Sequence, residues 1–189
     1  MHELETTAED VLAPLIRGDL TSRGGRPWRL HQWRQAITAT WAFKTAMMLE
    51  HTDRPERRTI PQVIFPMFAV WLRPTTTTTM WMARYVGDQP HHFGHGQLLA
   101  QVVGPEGPIE TDEAKPYAGV LSVGQLAFWY VGHLVQGAAV HQPPHELAPR
   151  IARIWPVTAE AEWPPPEAVD DDGMRAFTFS LRDEFESSQ

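Results

Sequence analysis

Apolar residues recur at helical spacing from the first turns of the chain. Leu4, Ala8, Val11, Leu12, Leu15 and Ile16 fall on one face, and Gly18 supplies a stop. Pro14 is expected to kink or divide this helix, because it removes a backbone donor and crowds the preceding turn. After the loop TSRGGRP, a second helix is predicted from about His31 to Glu50. Its apolar residues Trp33, Ile37, Trp41, Phe43, Met47, Met48 and Leu49 lie on several faces, which predicts a central, buried position. Thr59, Pro61 and Gln62 form the pattern of a capping box with proline in the first turn. The third helix that they announce carries Ile64, Phe65, Phe68, Trp71 and Leu72, bends at Pro66 and stops before Pro74.

Beyond Pro74 the pattern changes period. TTTTTMWMARYV, QLLAQVV and VLSVGQLAFWYVGHLV are rich in β-branched and aromatic residues, and each reads as a strand; RIARIWP adds a short fourth. HHFGHG reads as a connection between strands, GPEGPIETDEAKPYAG as an exposed loop, and EWPPPE as a rigid extended segment. Asp170, Asp171 and Asp172 suit the N-terminal dipole of a last helix, about 170–187, carrying Met174, Phe177, Leu181 and Phe185. The order predicts an α+β fold: N-terminal helices over about 1–73, a small, mainly antiparallel sheet over about 76–157, and a C-terminal helix. A chain of 189 residues suits one domain, 1–189.

Composition changes this picture mainly by exclusion. The chain has no cysteine, so disulfides, thiol nucleophiles, iron–sulfur clusters and cysteine-based zinc sites are ruled out. It also lacks asparagine and strongly prefers arginine to lysine, a bias of high-GC coding that hints at a bacterial source. No apolar run reaches membrane-spanning length and the N-terminus is acidic, so no membrane association and a cytoplasmic location are expected. The net charge of −7 opposes broad nucleic-acid binding, which depends on neutralising phosphates. The charge is uneven, however: Arg17 to Arg58 contains nine basic and four acidic residues. Arg23, Arg26, Arg29 and Arg34 are therefore the candidate surface for DNA or a partner, although solvated loops around a helix explain them with fewer assumptions.

Two groups suggest chemistry. His91, His92 and His95 are close enough in sequence to suggest a divalent-metal site, with His133, His141 or His145 as a further ligand. Adjacent residues in extended chain point to opposite sides, which weakens that reading, and no cofactor is predicted. Lys44, in the apolar setting WAFKTAMMLE, is a candidate depressed-pKa base or amine nucleophile. The alternative is that it snorkels to the surface or pairs with a carboxylate such as Glu50 or Glu5. No G-x-S-x-G, Walker A loop or dinucleotide fingerprint is present.

The segments in order resemble a family of bacterial and phage proteins related to HNH endonucleases. In that family an N-terminal nuclease-like part carries E-H-V-x-P and then C-x-x-C-N-x-x-W-M-x-x-L-E. Here MHELE matches the tail of that motif through Met1, Leu4 and Glu5; APLIRG matches the next helix, and WAFKTAMMLE matches a W-A-x-K-T-A-x-x-x-[DE] stretch. RTIP, MWMARYVG, VGQLAFWYVGH and IWP followed by WPPPE come in the same order, so the resemblance covers most of the chain. The histidine base and the metal-binding cysteines of an HNH centre would lie before Met1, which makes Met1 the expected internal methionine of the motif. The resemblance thus implies a non-catalytic accessory binding domain whose partner is a protein, such as the nuclease-like part itself. The alternatives are a metal-dependent hydrolase using the histidines, or a structural or assembly subunit with LAFWYVGHLV at an interface.

Overall fold

The computed structural model describes residues 2–17, 28–97, 102–104, 107–109, 116–134, 149–163 and 165–176. Helices come first: α1 (His2–Ile16), then α2 (Gln32–Thr52) and the short α3 (Ile64–Trp71). Strand β1 (Trp28–His31) leads into α2. A sheet follows from β2 (Thr78–Arg84), β3 (His91–Gln97), β6 (Tyr117–Val123), β7 (Leu126–Gly132) and β8 (Ile151–Trp155), in the order β3-β6-β7-β2-β8 and antiparallel throughout. Strands β4 (Val102–Gly104) and β5 (Gly107–Ile109) form a small ribbon, and β9 (Glu160–Trp163) pairs with β1. Residues 171–176 are helical, and the rest of the C-terminal helix expected to about 187 lies outside the described residues. The fold is α+β, with the predicted order of helices, mainly antiparallel sheet and C-terminal helix.

Strand alternation gives the sheet two buried faces. Met80, Met82, Tyr117, Leu121, Phe128, Tyr130 and Ile154 join one cluster with Leu12, Leu15, Phe43 and Phe68 of the helices. Their neighbours in sequence, Trp81, Ala83, Ala118, Val120, Trp129 and Val131, form a second cluster with Val169 and Met174 of the C-terminal segment. Tyr130 lies across Gly119 and Tyr117 across Gly132 in the β6–β7 register, and a Cβ on either glycine would collide with the ring.

Several boundaries depart from the sequence reading. VLSVGQLAFWYVGHLV is not one strand, because Gly124 turns at φ 57° and folds it into the β6–β7 hairpin. Glycine at the first of two turn positions matches the right-handed twist of paired strands. HHFGHG is not a connection but the body of β3, fully paired to β6. Part of the loop expected over GPEGPIETDEAKPYAG pairs as β5. Pro14 does not divide α1, which ends at Ile16, soon after the proline. Helix α2 is not buried all round: Gln35, Ala39, Ala42, Phe43, Ala46 and Glu50 face the core, while Trp33, Met48 and Leu49 are exposed. Gln35 joins the layers, donating to the Leu30 carbonyl at 2.7 Å and accepting from the Thr158 amide at 2.9 Å.

Candidate functional site

The densest polar contact in the described structure lies at the C-terminal end of α2. Helical periodicity carries Glu50 onto the buried face of α2, in line with Ala39, Ala42 and Ala46, and its side chain has no exposure. A buried carboxylate needs donors, and the segment after α2 supplies them. Oε1 accepts the Thr59 amide at 2.8 Å and the Thr59 hydroxyl, and Oε2 accepts the Ile60 amide at 2.8 Å. These bonds explain why the expected capping box is not made. The Thr59 hydroxyl is committed to Glu50, and α3 starts only at Ile64, after a turn in which Ile64 and Phe65 donate to the carbonyls of Pro61 and Gln62.

Strand β3 adds His95 to this junction. Its Nδ1 stands 3.0 Å from Glu50 Oε1, off the line of a well-directed hydrogen bond, so the contact is an ion-pair approach rather than an aligned bond. Its Nε2 lies 3.3 Å from Asp53 Oδ2, and the ring stacks on Phe93 with centroids 5.1 Å apart. The Asp53 carboxyl is held below the usual carboxylate range, chiefly by the Arg54 amide, with His95 adding to the effect against a counteracting desolvation. Beneath Glu50 the aromatic rings of Phe43, Phe68, Tyr117 and Tyr130 pack edge-on or tilted. Burial, with a smaller contribution from Glu50, pushes the Tyr117 hydroxyl up to about 12 against the lowering effect of hydrogen bonds to threonine hydroxyls. Burial and then Glu50 raise Tyr130 as well, whose hydroxyl has no hydrogen-bond partner among the described residues.

The histidines expected as metal ligands are not brought together. His91 and His95 share one side of β3, and His92 takes the other, where its amide donates to Ser122 Oγ at 2.8 Å. His133 is buried after β7, and His141 and His145 lie outside the described residues. Among the described residues no group of three or more His, Asp or Glu is placed to hold a metal ion. His95 turns both ring nitrogens toward the carboxylates of Glu50 and Asp53, away from the other histidines proposed as ligands. Lys44 is half-buried on α2, one and a half turns before Glu50. Of the candidate arginines, Arg23 and Arg26 lie outside the described residues. Arg29 pairs with Glu160 at 3.3 Å, and the Arg34 guanidinium sits 5.1 Å from the Trp33 ring centre.

A second region was not singled out as a site by its sequence. On α3, Ile64 and Phe68 are buried, while Val63, Met67, Val70 and Trp71 form a stripe beside them that stays exposed, Val70 by 76% and Trp71 by 61%. At the end of α3, Leu72 takes a left-handed conformation (φ 48°) while its amide bonds the Phe68 carbonyl at 2.7 Å. Next to this turn lies a cleft of about 250 Å³, lined by Met67, Trp71, Arg73, Pro74, Thr75 and Thr76. The signal available in the sequence was IFPMFAVW itself, a helix apolar on all sides with only one side needed for the core.

No known protein family matches the chain, and no curated protein or solved structure matches it. Among the described residues no helix is long and apolar enough to cross a membrane.

Proposed function

We propose that this chain is a non-catalytic accessory domain that docks a partner protein through the exposed stripe of α3. The observation that carries the reading is the unburied apolar surface of Val63, Met67, Val70 and Trp71 on a short helix. Water-facing apolar surface of this kind marks sites that another molecule covers. The polar junction supports the non-catalytic part. Glu50 is closed to solvent and bonded by backbone and side-chain donors, and His95 faces two carboxylates. General acid–base work needs a group that substrate can reach, and Glu50 is sealed from solvent with both carboxylate oxygens bonded. In the motif order described above, the partner is a nuclease-like polypeptide carrying E-H-V-x-P and C-x-x-C-N-x-x-W.

Calorimetric titration of that polypeptide with this chain tests the reading. The unaltered chain binds, and Met67→Glu or Val70→Glu weakens binding by at least about tenfold, the loss expected when a charge is forced into an apolar contact. Both variants keep the melting temperature of the parent, because both positions are exposed. No binding by the parent, or equal binding by the variants, overturns the proposal.

A further inference from the structure

The cleft at the end of α3 has features that specify what enters it. It is lined by the apolar side chains of Met67, Trp71 and Pro74 together with Arg73, Thr75 and Thr76. Thr75 is fixed in place: the Trp155 indole donates to its carbonyl at 2.9 Å, and its hydroxyl is 2.9 Å from that of Thr78, which reaches Tyr117. A preformed cavity loses little entropy on binding.

Two further observations concern the residues next to it in the chain. The Arg73 guanidinium lies over the Trp71 ring, 5.5 Å from its centre, and meets no carboxylate among the described residues. Stacking uses the face of a guanidinium and leaves its edge N–H donors available for a planar anion. Leu72 sits in the left-handed region at a helix end, the position where glycine is normally preferred. A leucine there costs backbone strain and leaves apolar surface in water.

We propose that the cleft beside Arg73 takes a bulky apolar side chain from a partner protein segment that carries an aspartate or glutamate close by, with Arg73 binding the carboxylate. This deepens the docking role of α3 and rests on it, adding the chemistry of the segment recognised.

The test is selection of random peptides displayed on phage against the immobilised full chain, in parallel with Arg73→Glu. Peptides enriched by the parent share a large apolar residue within a turn or so of an acidic one. Those enriched by Arg73→Glu carry Lys or Arg at the acidic position. A synthetic peptide of the parent class binds at least about tenfold more weakly to Trp71→Ser and to Arg73→Glu. Trp71→Ser and Arg73→Glu keep the melting temperature of the parent, because both side chains are exposed, so the loss is one of recognition and not of folding. Failure to enrich any peptide, enrichment without acidic residues, or the same peptides from Arg73→Glu overturns the proposal. Concentration-dependent self-association abolished by Trp71→Ser also overturns it, since a second copy would then be the occupant. If the nuclease-like polypeptide binds through Val70 while peptide selection fails, only the cleft assignment falls.

Discussion

The inner end of α2 and the outer stripe of α3 are neighbours in the chain and built from opposite materials. At the first, a fully buried carboxylate accepts from two backbone amides and a hydroxyl, with an imidazole beside it. At the second, valine, methionine and tryptophan keep much of their surface exposed, and only the Arg73 guanidinium lies over the Trp71 ring. Titratable groups attract a catalytic reading and apolar residues a structural one, yet here burial reverses both. The polar cluster is an internal fastening close to the start of α3, and the apolar helix is the surface we propose a partner covers. Chemical type suggests what a side chain can do, and exposure decides whether anything can reach it.

The contrast is open to attack at its strongest point first. Glu50→Ala leaves the Thr59 and Ile60 amides without their acceptor and should destabilise the fold by about 3–5 kcal/mol, the range for breaking a buried charged cluster. Urea unfolding measures it, and a loss below about 1 kcal/mol would mean the junction is not a fastening.

An alkaline titration comes next. The folded Tyr117 holds its proton up to about 12 against an ordinary value of 10.0, so stability from this group is intact below pH 10 and is lost as pH rises towards 12. The full loss amounts to roughly 3 kcal/mol. Tyr117→Phe should flatten the decline of stability between those pH values, and an unchanged slope would show that the ring is not sealed beneath Glu50.

The smallest effect belongs to the exposed stripe. Val70→Ser should change unfolding free energy by less than about 0.5 kcal/mol, as for other surface positions. A large loss would place Val70 in the fold rather than on a docking face.

The elements were more legible than their junctions. Helical spacing located α1 and α2, and β-branched and aromatic runs located β2, β7 and β8, because these signals are local. The β6–β7 hairpin was hidden by its economy: its turn is Gly124 and Gln125 inside an otherwise strand-like run. Glu50 entered only as a possible partner for Lys44. Its actual partners are Thr59, Ile60 and His95, and the last is delivered by the edge strand of the sheet. Thr59 was read as a helix cap, but its hydroxyl goes to the buried Glu50 carboxylate and α3 starts only at Ile64. The exposure of α3 depends on what else packs nearby, which periodicity in an all-apolar helix cannot express.

The pairing of β1 with β9 has a consequence for the order in which the molecule forms. Arg29 faces Glu160 across a sequence separation of 131 residues, and Trp28 stands opposite Trp163. A ribosome adding about 5–20 residues per second finishes β1 many seconds before its partner strand emerges. Over that interval α2 can form its backbone hydrogen bonds, but the Leu30–Gln35–Thr158 link at its start has no second half. Closure of so large a loop is a late, slow step. Until it occurs the nascent chain carries exposed apolar helix faces, and its dependence on chaperones should be greatest in that window.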